Sequence, residues 1–237
     1  MILKEEIDNI KNLDLIDFCN SALSSIIVNV SNQDSDTRYV RVKKNHKNKD
    51  VYNKFVRKLN SMRNIMFIES GKIAKGNSIL KVADTRDKNI FAEDTADMAV
   101  TSPPYPNAWD YHLYHKYRLL WLGMNPQELR SKEIGSHADY SKKNSLDEFD
   151  FQRDMKQCFE NVSNILKREG HFVLVIGDSI LKGRNIKNNE ILKNAAKSTK
   201  FSFISEFSRN IQLHRKSFNP KIGNIKSEKI LIFKNLK

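Results

Sequence analysis

The residues whose types and spacing could do chemistry are Thr101-Ser102-Pro103-Pro104-Tyr105. They follow Asp97-Met98-Ala99-Val100, a short apolar run that reads as a buried strand. A strand that meets Pro-Pro cannot continue its ladder, because proline has no N–H to donate. Ser102 precedes a proline and is pushed toward extended geometry. Each proline holds φ near about −65°. The result is a stiff turn at the carboxyl end of a strand. It offers a hydroxyl and a carbonyl in fixed places, with an aromatic ring just beyond. In open α/β sheets that end of the strands is where ligands bind.

The elements that must position this turn alternate between the two periods. Residues 4–29 carry a helical stripe of Ile7, Ile10, Leu13, Ile16 and Phe18, continued by Leu23, Ile26 and Ile27, with Asp17 or Asn20 able to cap a second helix. Residues 31–37 are a polar loop. Asp50 reads as an N-cap for Val51, Phe55, Leu59, Met62 and Met66, a helix ending near Gly71. Residues 79–83 read as a strand with Asp84 and Arg86 after it, and residues 97–101 as the next strand. An aromatic-rich helix over 109–122 and a polar excursion over 124–146 follow. Residues 146–167 read as a helix with Phe149, Met155, Phe159, Val162 and Leu166 on its apolar face. Residues 171–176 form the clearest buried strand, closed by Gly177-Asp178-Ser179 on the ligand side of the sheet. A helix over 189–198 and two strands over 201–207 and 228–233 complete the pattern. The fold class expected is α/β. The expected division is a helical region over 1–75 and a second domain over 76–237.

The chain has 237 residues, 39% hydrophobic and 29% charged, with a net charge of +13. That length supports a sizeable core. The excess of cations fits a polyanion, of which nucleic acid is the usual one, or the Lys-, Asn- and Ile-rich bias of an AT-rich coding sequence. The densest basic stretch is Arg38, Arg41, Lys43, Lys44, Lys47 and Lys49, a strip along a DNA backbone or a solvated loop. A second basic group, Arg215, Lys216 and Lys221, lies near Asn219-Pro220. Two distant cysteines, Cys19 and Cys158, give neither a disulfide framework nor a zinc spacing. His112, His115 and His137 have no supporting ligand motif, so no metal is expected. No stretch reads as a membrane span, and the N-terminus does not read as a signal peptide, so the expectation is a cytoplasmic protein.

Ser102-Pro103-Pro104-Tyr105 after an apolar strand resembles the catalytic motif of the amino-group DNA methyltransferases that use S-adenosylmethionine, in the form most often seen in cytosine-N4 enzymes. Pro106-Asn107-Ala108-Trp109-Asp110-Tyr111, Glu133-Ile134-Gly135-Ser136 and Val175-Ile176-Gly177-Asp178-Ser179 extend the resemblance, which runs from about Ile79 to the C-terminus and more weakly back to Ser21. It implies a Rossmann-like methyltransferase fold, DNA as substrate and a setting in restriction–modification. The chemistry suits the residue types. An exocyclic amino group is a poor nucleophile, because its lone pair is delocalised into the ring. The base must leave the stack and enter a pocket. The Ser102 hydroxyl and the Pro103 carbonyl are then the acceptors for its N–H groups, and Tyr105 offers a ring face for stacking. On this resemblance Ser102, Pro103, Pro104 and Tyr105 are the catalytic set. Thr101, Asp178 and Asp84 stand where the cofactor would lie, Asp84 being alternatively a turn or cap residue. Asp110, Tyr111, Ser179, Lys182 and Arg184 are the candidate substrate contacts. Adenine-N6 methylation uses the same motif chemistry. A DNA-binding subunit inactive alone is the other alternative.

The sequence departs from the family in one respect. The Phe-x-Gly-x-Gly segment after the family's first strand is absent: none of the eight glycines forms a Gly-x-Gly pair. The first two strands of the sheet therefore have no counterpart. The expectation is a C-terminal methyltransferase portion whose strand before Ser102 has an unpaired edge, with three readings open: a second polypeptide supplies the glycine-rich cofactor motif, the chain is a nonfunctional remnant, or the N-terminal 70 residues compensate.

Overall fold

The structure, a computed structural model, describes residues 2–36, 38–71, 76–141, 146–210 and 227–237. The basic group at Arg215, Lys216 and Lys221 lies outside the described residues. The chain forms two compact units, Met1–Ile79 with Tyr111–Ser131, and Leu80–Asp110 with Lys132–Lys237. The helical unit thus takes in a second segment, 111–131, beyond the N-terminal helices.

The helical unit is built on α2 (Leu13–Val30) and α3 (Asn48–Ser70), with α1 (Ile2–Asp8) before them. Asn12, rather than Asp17 or Asn20, caps α2: its side chain accepts the Leu15 N–H at 3.0 Å. Asp50 lies inside the first turn of α3, where its carboxylate accepts the Lys47 N–H at 2.9 Å. Ala22, Leu23, Ile26 and Ile27 of α2 pack on Phe55 and Ile7 as one apolar core. The expected polar loop forms a small hairpin, β1 (Gln33–Ser35) with β2 (Arg38–Arg41). Gln33 is buried beneath it and donates to the carbonyls of Ser35 and Tyr114. The expected aromatic helix is two short ones, α4 (Tyr111–Tyr114) and α5 (Lys116–Trp121), followed by α6 (Pro126–Lys132). Arg118 of α5 ties this segment down by donating to the Ser24 carbonyl and pairing with Asp36. One helix, α2, does have the length and apolarity of a membrane span, 18 residues at mean hydropathy 1.3. Its Ala22–Ile27 face belongs to the core of the unit, which is what an amphipathic core helix also does.

The second unit is an α/β layer. Its sheet has the order β3 (Ala96–Thr101), β4 (Leu166–Gly177), β8 (Ser227–Asn235), β7 (Phe201–Asn210). β3 runs parallel to β4, and β8 is antiparallel to both β4 and β7. Helices α8 (Glu148–Ile165) and α9 (Asn188–Lys197) pack on this sheet, and α7 (His137–Tyr140) precedes them. Asp147 caps α8, accepting from Phe149 N and Asp150 N. Phe151, Met155, Cys158 and Phe159 of α8 face Phe172, Leu174 and Ile176 of β4 and Leu231 and Phe233 of β8. Phe149, expected on this stripe, is instead exposed, because the buried face starts two residues later. The corner from α8 into β4 is pinned by fully buried Asn235, which donates to the Ser163 and Leu166 carbonyls and accepts the Ser163 hydroxyl. Gly170 is required where β4 kinks: a Cβ there would lie 2.8 Å from the Lys167 carbonyl oxygen.

One expected strand does not form. Residues 76–84 have no regular structure, and Ile79 and Leu80 are 70% and 94% exposed. A strand needs a ladder partner, and none of the described residues supplies one. In keeping with the expected unpaired edge, β3 lies at the margin of the sheet, with Met98 and Val100 59% and 67% exposed.

Candidate active site

The parallel pairing of β3 with β4 sets Thr101 opposite Leu174, so both strands deliver their carboxyl ends to one edge. Ser102 follows there, exposed, and its hydroxyl donates to the Val175 carbonyl at 3.1 Å. A serine hydroxyl has one proton and two lone pairs. With the proton committed to β4, the oxygen presents only acceptor capacity outward. Pro103 is buried beneath the turn, and Pro104 and Tyr105 are half-buried.

Tyr105 folds back over the strand ends. Its hydroxyl donates to Glu228 Oε1 at 3.0 Å. Burial, then the Glu228 charge, push its phenol up to about 12. The ring is therefore neutral at any physiological pH.

The loop after Tyr105 is clamped from beneath by the Glu133–Ser136 segment. Gly135, buried at φ +78°, comes so close that a Cβ would sit 3.1 Å from the Tyr105 carbonyl oxygen. Its carbonyl accepts the Asn107 N–H at 3.0 Å. Asn107, at φ 64°, ties the loop to the next hairpin by donating to the Ile180 carbonyl at 2.7 Å. Asp110 is 5% exposed, and its Oδ1 accepts both the Ser136 hydroxyl at 2.8 Å and the Ala138 N–H at 2.9 Å. This carboxylate holds the loop against the start of α7. The sequence named the segment but gave no sign of this contact.

The remaining candidates fall in three places. Asp178 follows Gly177 at the carboxyl end of β4, partly buried, on the same edge as Ser102. Ser179 opens a two-stranded hairpin, β5 (Ser179–Leu181) and β6 (Arg184–Ile186), which the sequence reading missed. Its turn, Lys182-Gly183, has positive φ at both residues, 49° and 79°, as a two-residue hairpin turn demands. Ser179 is buried and accepts from Asn188 Nδ2 at 2.7 Å, while the same amide donates to the Gly177 carbonyl at 2.8 Å. It therefore supports the end of β4 from within. Lys182 and Arg184 lie on the exposed hairpin, Arg184 paired with Glu148 of α8. Tyr111 belongs to the helical unit, its ring stacked on His115 at 6.2 Å.

Asp84 is occupied elsewhere. It accepts the Arg86 backbone N–H and three contacts from the Arg86 side chain, at 2.6–3.2 Å. The same guanidinium reaches Asp154 of α8 and the Lys132 carbonyl. Asn161 holds the turn from the other side, through the Thr85 and Asp87 carbonyls. Arg86 bonding holds the Asp84 carboxyl below its ordinary value of 3.8. A depressed carboxyl stabilises the fold above its unfolded pKa, and that stability is lost as pH falls through the folded value. Asp84→Asn is accordingly expected to cost about 1.5–3 kcal/mol at pH 7, the range of a charge-assisted hydrogen bond. The gap to the parent should narrow steadily below pH about 3.8. Urea unfolding at pH 7 and at acid pH checks both; a gap that does not change with pH would refute the assignment.

In the basic stretch, Lys44 donates to the Val28 carbonyl at the end of α2, while Arg41, Lys43, Lys47 and Lys49 are exposed. Among the described residues, no group of three or more His, Cys, Asp or Glu side chains is arranged to hold a metal ion.

No protein-family model matches the sequence, and no curated protein is significantly similar to it. Solved structures do match. A Thermus thermophilus protein assigned provisionally as a DNA modification methylase, in complex with S-adenosyl-L-methionine, is 19% identical, with a TM-score of 0.40 over 66% of this chain and 54% of that one. PvuII DNA methyltransferase, cytosine-N4-specific, is 17% identical, with a TM-score of 0.38 over 62% of this chain and 44% of its own. The chain spans about half the length of these structures.

Proposed function

We propose that the chain is the base-binding portion of a Rossmann-like DNA methyltransferase acting on the exocyclic N4 amino group of cytosine, with S-adenosylmethionine as methyl donor. The observation that carries this reading is the Ser102 hydroxyl, exposed on a rigid turn with its proton held by Val175. Such an oxygen can only accept. It draws an amino N–H toward itself and returns lone-pair density to nitrogen, with the Pro103 carbonyl as second acceptor. Tyr105 supplies a neutral ring for the extruded base. Thr101 and Asp178 lie on the same edge and would face the cofactor. Lys182, Arg184 and the exposed lysines of 43–49 fit phosphate contacts, which ask only for positive charge. The setting proposed is restriction–modification in the cytoplasm.

The described residues do not assemble a complete cradle for S-adenosylmethionine. Asp84 is saturated by Arg86, and no pair of neighbouring glycines offers a nest of backbone amides. The edge of β3, open among the described residues, supports the corresponding proposal. A strand of a second polypeptide pairs there, covers Met98 and Val100, and brings a Phe-x-Gly-x-Gly segment beside Ser102. The same open edge favours, as second reading, a chain that binds DNA but does not methylate it alone.

Two measurements test these readings. Calorimetry with S-adenosylmethionine is expected to show no binding to the chain alone and binding when a polypeptide carrying the glycine-rich segment is added. Binding to the chain alone would refute the need for a partner. Mass spectrometry of DNA from cells producing both polypeptides is expected to show N4-methyldeoxycytidine. N6-methyldeoxyadenosine would move the substrate to adenine, and unmodified DNA would leave only the DNA-binding reading.

A further inference from the structure

We propose that Glu228 is a positioning residue for the candidate base site, holding the Tyr105 ring by its hydroxyl while Arg209 holds Glu228 in turn; this rests on the methyltransferase reading above. A tyrosine ring on a loop has two side-chain torsions, and stacking on a base keeps its geometry only if both are fixed. The Tyr105 backbone is fixed by Gly135 beneath it, and its far end by Glu228 Oε1 at 3.0 Å. The other carboxylate oxygen, Oε2, is bonded by Arg209.

Glu228 has little freedom of its own. It is opposite Gly177 in the β4–β8 ladder and opposite Arg209 in the β7–β8 ladder, so both neighbouring strands fix its backbone. Its side chain is 16% exposed, shielded enough for an ionic partner to matter. A hydrogen bond to an ionised acceptor is about twice as strong as a neutral one. The contact also links the ring to the element on which Ser102 rests, because Gly177 ends the strand whose Val175 carbonyl takes the Ser102 proton. The ring and the hydroxyl acceptor are thus set by the same strand ends.

The test reads the hydrogen bond and the base site separately. A phenol proton held this way exchanges slowly and gives its own proton NMR signal. The signal is expected in the parent chain, absent in Tyr105→Phe, retained in Glu228→Gln, which keeps an acceptor, and absent in Glu228→Leu. A duplex with 2-aminopurine at the target position reports stacking by fluorescence quenching. Its dissociation constant is expected to weaken about tenfold in Glu228→Leu and to stay within about twofold of the parent in Glu228→Gln. A signal that survives Glu228→Leu, or unchanged quenching in that variant, overturns the assignment of Glu228. A parent chain that shows the signal but quenches nothing overturns the base-site reading and the role at that site with it.

Discussion

Replacing Ser102 by alanine is expected to slow methyl transfer to DNA about 10²–10³-fold, the range for loss of one preorganised polar group at a reacting centre. The measurement is incorporation of labelled methyl into DNA by the chain together with the polypeptide that restores cofactor binding. The loss should fall on the rate rather than on DNA affinity. Phosphate contacts carry most of the affinity, and they ask only for positive charge. Stability should change little. The hydroxyl is exposed, and the Val175 carbonyl it serves lies within a strand already paired with β8. Ser102→Ala therefore separates chemistry from folding cleanly. A variant that folds, binds DNA as the parent does and methylates at the parent rate would remove the amino-group acceptor from the reading. A variant that also loses DNA binding would place Ser102 in recognition instead.

The layer that carries the site was largely legible, because its signals are local. The run 171–176 is buried on the faces its apolar residues imply, and the Pro-Pro turn ends β3 where a proline must. The helix over α8 was legible in period but not in phase. Phe149 and Phe151 compete for one face two residues apart, and Cys158, which joins the core, does not announce itself as an apolar stripe residue. The segment 79–83 reads as a strand because composition records the preference of a residue for a ladder, not the presence of one. Sites built by distant residues were illegible. Tyr105 and Glu228 are 123 residues apart, and Ser102 and Val175 are 73 apart. No periodicity spans such distances; only the register of β3 on β4 and β4 on β8 brings them together. Asp110 was legible by place but not by contact: the sequence set it beside the aromatic loop, and only the fold brings the Ser136 hydroxyl and the Ala138 N–H to its carboxylate.

Phe159→Ala is expected to destabilise the second unit by about 3–5 kcal/mol, the usual cost of emptying a buried phenylalanine site. The ring is fully buried, and its centroid lies 5.1 Å from Phe172, 5.7 Å from Phe201 and 5.3 Å from Phe233, edge-on to each. These partners sit on β4, β7 and β8, so one side chain of α8 fixes three strands of a four-stranded sheet. Collapse cannot refill the site, because the three neighbours are held by their own ladders. Domains of this size have only about 5–15 kcal/mol of total stability, so such a loss threatens the fold itself. Denaturant unfolding measures it, and Phe159→Leu should recover much of the difference by keeping most of the volume. A cost below about 1 kcal/mol would mean that the aromatic cluster is not packed as described. The effect reaches the site by geometry alone. Val175, Gly177 and Glu228 hold Ser102 and Tyr105 from β4 and β8, and those strands keep their register against α8 only while its central ring is in place. Loss of activity in Phe159→Ala should therefore track the unfolded fraction, whereas Ser102→Ala loses activity while fully folded.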